Sequence, residues 1–129
     1  MKTRTLLAIG ALALAVCGSQ SACTRKPAAD LAAARAVMDE ILEAEREQRG
    51  SVGTFWRDRQ PTLDRGEVLK RLGVDIAKAE AFEFVMQPFE GGTDPRLRVT
   101  AQAKDGSVSL ECVQNADLGK PECTEKGPS

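Results

Sequence analysis

Arg96-Leu-Arg-Val-Thr-Ala-Gln-Ala-Lys-Asp-Gly-Ser-Val-Ser-Leu-Glu-Cys-Val113 is the stretch from which the fold is read. Leu97, Val99, Ala101 and Ala103 alternate with Arg98, Thr100 and Gln102. That period of two gives a strand one apolar face and one wet face. Asp105-Gly106 follows, a dipeptide suited to the positive backbone angles of a tight hairpin turn. Val108, Leu110 and Cys112 resume the alternation over residues 107–113, so the chain returns antiparallel to the first strand. Upstream, Phe82, Phe84 and Met86 share one face of residues 81–87. Pro88 ends that strand or marks a sheet edge, because it has no N–H to donate. Glu90-Gly-Gly-Thr-Asp-Pro95 is the turn between them. Three strands in meander order with one apolar face need a second layer to cover that face.

Residues 28–49 supply the cover. They contain no Gly, Pro or aromatic residue, and Leu31, Ala34, Val37, Met38, Ile41, Leu42 and Ala44 recur at spacings of three and four. This predicts one long helix with a single apolar stripe. Pro27 and Asp30 suit its first turn and Gly50 its end. Arg35 with Asp39, and Glu45 with Arg49, stand one turn apart and are expected to pair on the wet face. Residues 51–62 read as a loop, in which Trp56 is expected to seal the end of the core. Asp64-x-x-Glu67 is a capping box ahead of Val68, Leu69 and Leu72, which predicts a short second helix ending at Gly73. The expected fold is α+β: a long N-terminal helix packed on a three- to four-stranded antiparallel meander.

The length of 129 residues suits one domain. Lys and Arg total 18 against 19 Asp and Glu, so the charge gives no case for nucleic acid. The chain has no His, which excludes Ser-His-Asp, Cys-His and His-ligated zinc sites. Gly91-Gly92 lies in a turn and not between a strand and a helix, so no phosphate loop is expected. The turns at Asp94 and Asp105 lack the spacing of an EF-hand calcium loop. The chain is therefore read as a non-enzyme, with no catalytic residues, no metal ligands and no cofactor.

Lys2 and Arg4 precede an uninterrupted apolar run over residues 6–16. A spanning helix needs about 20 apolar residues, so this run is too short for an anchor and fits an export signal. Residues 1–16 are set aside from the fold. Cys17-Gly-Ser-Gln-Ser-Ala-Cys23 resembles the lipobox region of bacterial lipoproteins. That resemblance implies a lipid-modified N-terminal cysteine, a membrane anchor and an outer-membrane destination, facing the periplasm or the cell surface. Cys17 stands directly after the apolar run and is the preferred acceptor. Cys23 is the alternative, and secretion with simple cleavage is a third outcome. Cys112 and Cys123 stand eleven residues apart around a polar stretch with Gly119 and Pro121. In an exported chain they read as a disulfide closing a surface loop. The expected divisions are signal 1–16, tether 17–27, domain 28–124 and tail 125–129.

The element order then resembles a family. A charged amphipathic helix runs into Gly50-Ser-Val-Gly-Thr-Phe-Trp56, and Leu72-Gly73 follows. A Phe-x-Phe strand, a Leu-Arg-Val-Thr-Ala-Gln-Ala strand before a Gly turn, and a C-terminal cysteine pair complete the order. This is similar to the globular head of type IV pilins and pseudopilins, whose helix packs on an antiparallel sheet. The resemblance implies non-catalytic action through protein contact in a pilus, type II secretion or other envelope assembly. The N-terminus departs from it, with an export signal where pilins carry a prepilin peptidase site and a long apolar helix. A second class shares the element order, a cystatin-like helix-on-sheet inhibitor or ligand binder. The surface expected to make contact is residues 114–122, with Asn115, Asp117, Leu118 and Lys120 as contact residues.

Overall fold

A computed structural model describes residues 30–127. The expected export signal, the acylation candidates Cys17 and Cys23, and the 17–27 tether lie outside the described residues.

The long helix, α1 (Leu31–Val52, 22 residues), starts where Asp30 accepts a hydrogen bond from the Ala33 N–H. This cap satisfies a donor that has no partner within the helix. The helix runs past Gly50 and ends at Gly53, whose φ of 90° places it in the left-handed region. There its N–H reaches the Arg49 carbonyl at 2.8 Å. Ending a helix in this way needs a residue at positive φ, and Gly53 supplies it, so Gly50 remains helical. The expected stop at Gly50 is thus one turn early.

A second helix, α2 (Arg65–Leu72), is capped by Asp64, which accepts from the Gly66 N–H, and ends at Gly73. Val68 is its buried residue, while Leu69 is exposed. A 3-10 helix (Ile76–Ala79), capped by Asp75, had no counterpart in the sequence reading.

Four strands follow: β1 (Phe82–Phe89), β2 (Arg96–Ala103), β3 (Ser109–Asn115) and β4 (Glu122–Lys126). They form one antiparallel sheet in the order β1-β2-β3-β4. The α+β arrangement is as expected, with four strands. Pro88 lies inside β1, which is an edge strand. The edge is covered: Leu63 N–H donates to the Phe84 carbonyl and Met86 N–H to the Pro61 carbonyl, both at 2.8 Å. The apolar stripe of α1 and the inward residues of β1–β3 form one core. Met38, Ile41, Leu42, Phe84, Leu97 and Leu110 are its largest apolar members with essentially no exposure, and Phe55 and Phe82 also belong to it.

One boundary moves. The domain does not end at 124, because β4 carries the pairing to Lys126 and takes Glu125 and Lys126 out of the expected tail. The bridge closes the surface loop as expected, and it does so from paired strands. Cys112 and Cys123 stand opposite each other on paired strands and are bonded, with an S–S distance of 2.05 Å. All five β4 residues are exposed, so the strand adds no fully buried side chain to the core and carries no apolar alternation. Its attachment therefore rests on backbone hydrogen bonds, the disulfide and the ion pair between Glu125 and Arg35. That pair replaces the expected Arg35–Asp39 contact. Both partners are about half exposed, so it contributes less than about 1 kcal/mol.

Reduction of the disulfide should release β4 before the rest of the sheet. Loop closure of this length is worth up to about 3 kcal/mol. We expect the β4 amides to lose exchange protection on reduction while those of β2 and the core face of α1 keep theirs. Simultaneous loss across β2 and β4 would contradict it.

Candidate functional site

The end of β3 organises the loop that leads to β4. Gln114 continues the inward set Leu110 and Cys112, and it is fully buried. Its side-chain amide donates to the Gly119 carbonyl at 2.7 Å and to the Asn115 carbonyl at 3.2 Å. Its carbonyl oxygen accepts from Arg46 Nη1 on α1 at 3.4 Å. Within the loop, Leu118 N–H donates to the Asn115 carbonyl and Gly119 N–H to Asp117 Oδ1. Ala116 N–H reaches back to the Pro95 carbonyl. The loop is tied from below, from within and from the neighbouring turn.

These contacts redistribute the expected interaction residues. Asn115, Asp117 and Lys120 are exposed, as a contact surface requires. Leu118 is not a free apolar anchor. It is half-buried against the core, and its Cδ1 lies 3.9 Å from where a side chain at Gly50 would begin. It takes a φ of 62°, costly for a leucine, and inward packing accompanies that conformation. Gln114 and Glu122, the two ends of the expected surface, belong to β3 and β4. Lys120 instead meets α1 across a groove of about 410 Å³. Arg35, Asp39, Glu43 and Arg46 line one wall, with Pro121 and Cys123 opposite. Both charge signs stand along this groove, and the bridge forms part of its rim.

A second polar cluster sits where α1 meets the following loop. Glu45 is fully buried, and its Oε1 accepts from the Trp56 N–H at 2.7 Å. Its Oε2 is buried without a hydrogen-bond partner among the described residues. Burial drives its pKa up to about 8; the Trp56 bond pulls it down in part, and the charge of Glu90 adds to the rise. At neutral pH Glu45 is therefore mostly the neutral acid. Glu90 behaves in the opposite way. Its slight burial acts to raise its pKa, but hydrogen bonds from Arg49 and the Phe55 N–H, with the Arg49 charge, outweigh that and hold it low. Arg49 also lies over the Phe55 ring, 4.9 Å from its centre. The expected Glu45–Arg49 pair gives way to Glu45–Trp56 and Arg49–Glu90. Trp56 is half-buried against the core, as expected of a residue sealing its end.

A neutral buried acid can mark a general acid, but only where substrate reaches it. Glu45 has no exposure, and the groove beside Lys120 is lined by other residues. Its position fits an adhesive role: one carboxyl oxygen fastens the loop after α1 to the helix. Sequence reasoning put Glu45 on the wet face, Glu90 in a turn and Gln114 at the start of an exposed surface, and gave Arg46 no role. For two of them a signal existed, since Glu45 follows Met38, Ile41 and Leu42 at helical spacing and Gln114 follows Cys112 at strand spacing. Among the described residues, no three His, Cys, Asp or Glu side chains converge to hold a metal ion, and no helix is long and apolar enough to cross a membrane. Comparison with known proteins found no matching family model, no matching curated protein and no matching solved structure.

The two carboxyls set a pH dependence. Glu45 has a folded pKa raised from 4.5 to about 8, so its contribution is complete below about pH 4.5 and is lost as pH rises toward 8. The slope is about 1.4 kcal/mol per pH unit at most. Glu90, held low, works the other way: its contribution is present above the ordinary carboxylate range and is lost as pH falls through its folded pKa. Denaturant titrations from pH 5 to 8 should show stability falling, and Glu45→Gln should flatten the slope. An unchanged slope in that variant would contradict the assignment.

Proposed function

We propose that this chain is an exported, non-catalytic recognition domain of the pilin-like kind, acting through protein contact in an envelope assembly. The observation that carries this reading is the fastened C-terminal hairpin. Its loop is bonded from beneath by Gln114, its strand is bridged to the sheet, and its exposed Lys120 faces α1 across a charged groove. A prefixed surface of this sort loses little conformational entropy on binding. The groove's acidic and basic residues favour a partner segment that itself carries both signs. Pilus or secretion components are the partners implied by the resemblance in element order.

The N-terminus supports placement at a membrane. Acylation of Cys17 leaves residues 18–30 between the lipid and α1, a reach of at most about 45 Å when extended. The domain can then stand clear of the headgroups. The cystatin-like alternative requires room for a ligand between helix and sheet. Met38, Ile41, Leu42, Phe84, Leu97 and Leu110 are all essentially without exposure, which favours surface contact over an internal ligand.

Two measurements test the reading. A photocrosslinker replacing Lys120 in cells should trap an envelope-assembly protein that the same probe at Lys104 does not. Absence of any such product, with a small molecule retained by the purified protein, would turn the assignment to the ligand-binding alternative. The intact mass of the processed chain should show a lipid on an N-terminal Cys17. An unmodified chain beginning beyond Cys23 would contradict the anchor.

A further inference from the structure

Among the described residues, the sheet has one covered edge and one open edge. The covered edge fixes the hydrogen-bonding phase of the whole ladder. The Phe84 carbonyl and Met86 N–H point outward from β1 to residues 61–63. Their cross-strand partners Ala101 and Val99 therefore direct their backbone groups toward β3. The bond from Ala103 N–H to the Val108 carbonyl has the same phase. Leu110 and Cys112, opposite them, direct theirs back to β2. Cys123 and Glu125, which face Cys112 and Leu110, are left with N–H and C=O groups pointing away from the sheet. The Cα atoms of Cys112 and Cys123 are 4.0 Å apart, the close spacing of a pair that does not exchange hydrogen bonds.

We propose that this open edge is a self-association surface, on which a second copy of the chain adds its own β4 antiparallel about a two-fold axis at Thr124. The proposal is independent of the partner reading above. Outward backbone groups can meet only in registers that set Cys123 or Glu125 against one another. Centring the pairing on Thr124 makes each Cys123 exchange two hydrogen bonds with Glu125 of the second copy. Side chains alternate across the strand. Glu125 pairs with Arg35 of α1 and so lies on the helix side. Glu122, Thr124 and Lys126 lie on the other face. In this register each Glu122 stands opposite Lys126 of the second copy, twice over, and Thr124 stands opposite its own equivalent. Centring on Cys123 or Glu125 would set Thr124 against Glu122 or Lys126 and lose both charge pairs. Parallel pairing would align like charges.

Two features suit β4 to this role. The bridge already holds the strand to the sheet, so pairing orders little new chain. The opposite edge of the sheet is occupied by residues 61–63, so association closes at two copies and does not propagate. The contact is small and belongs to the weak, transient class.

The test uses the full processed chain. Under mild oxidation Thr124→Cys should crosslink to its equivalent in a second copy, with the 124–124 link identified by peptide mapping. Glu122→Cys and Lys126→Cys should not, since each then faces the other position. Glu122→Lys should weaken dimer formation in sedimentation by roughly tenfold, and adding Lys126→Glu should restore it. All of these sites are exposed, so the variants should fold. Equal crosslinking at 122 and 124, failure of the reversed pair to restore association, or a monomer at every concentration would overturn the proposal.

Discussion

Gln114 stands at the end of β3 with no exposure, its amide bonded to the Gly119 and Asn115 carbonyls and its oxygen bonded to Arg46. A buried amide left without partners is costly, so the loop must stay where it satisfies them. That requirement fixes the path from β3 into β4. It sets the turn that gives Leu118 its positive φ and brings Lys120 opposite α1. Together with the Cys112–Cys123 bond it makes the exposed end of the sheet a defined shape. The groove and the open β4 edge both inherit that shape.

Glu45 does for the other side of α1 what Gln114 does for the hairpin. Each is a polar side chain at a position where the local period demands a core residue, and each uses its polarity to fasten a loop. Glu45 holds the Trp56 backbone, and Phe55 beside it is held by Glu90. The loop after α1 is thus bonded by two carboxyls of opposite character, one neutral by burial and one kept ionised by Arg49. Polar groups at the rim of a small core give it edges as well as adhesion. Apolar residues there would bury more surface but would not specify which backbone atom sits where.

These same residues mark the limit of the sequence reading. β2 and the stripe of α1 are written in alternation of apolar and polar residues, and they stand as read; the chain does turn at Asp105-Gly106, but Gly106 alone of the two takes a positive φ and β3 begins at Ser109. Glu45 and Gln114 were assigned to wet positions by their chemistry, although spacing put them inside. The place of β4 was not legible for the opposite reason: Glu-Cys-Thr-Glu-Lys has no apolar face, and among the described residues its strand character comes from pairing with β3 alone. Gly50 has the chemistry of a helix stop, but Gly53 lies where the chain turns, and only tertiary packing separates the two. The disulfide was legible as a pair, while its placement across two strands depended on seeing β4.

Backbone amide order parameters for residues 116–121 test the fastened hairpin most directly. If Gln114 and the bridge hold the loop as described, these residues should match β3, at about 0.85, and fall only when Gln114→Met removes the bonds to Gly119 and Asn115. Values below about 0.6 in the unaltered protein would show a loose loop and contradict a preformed surface at the end of the sheet.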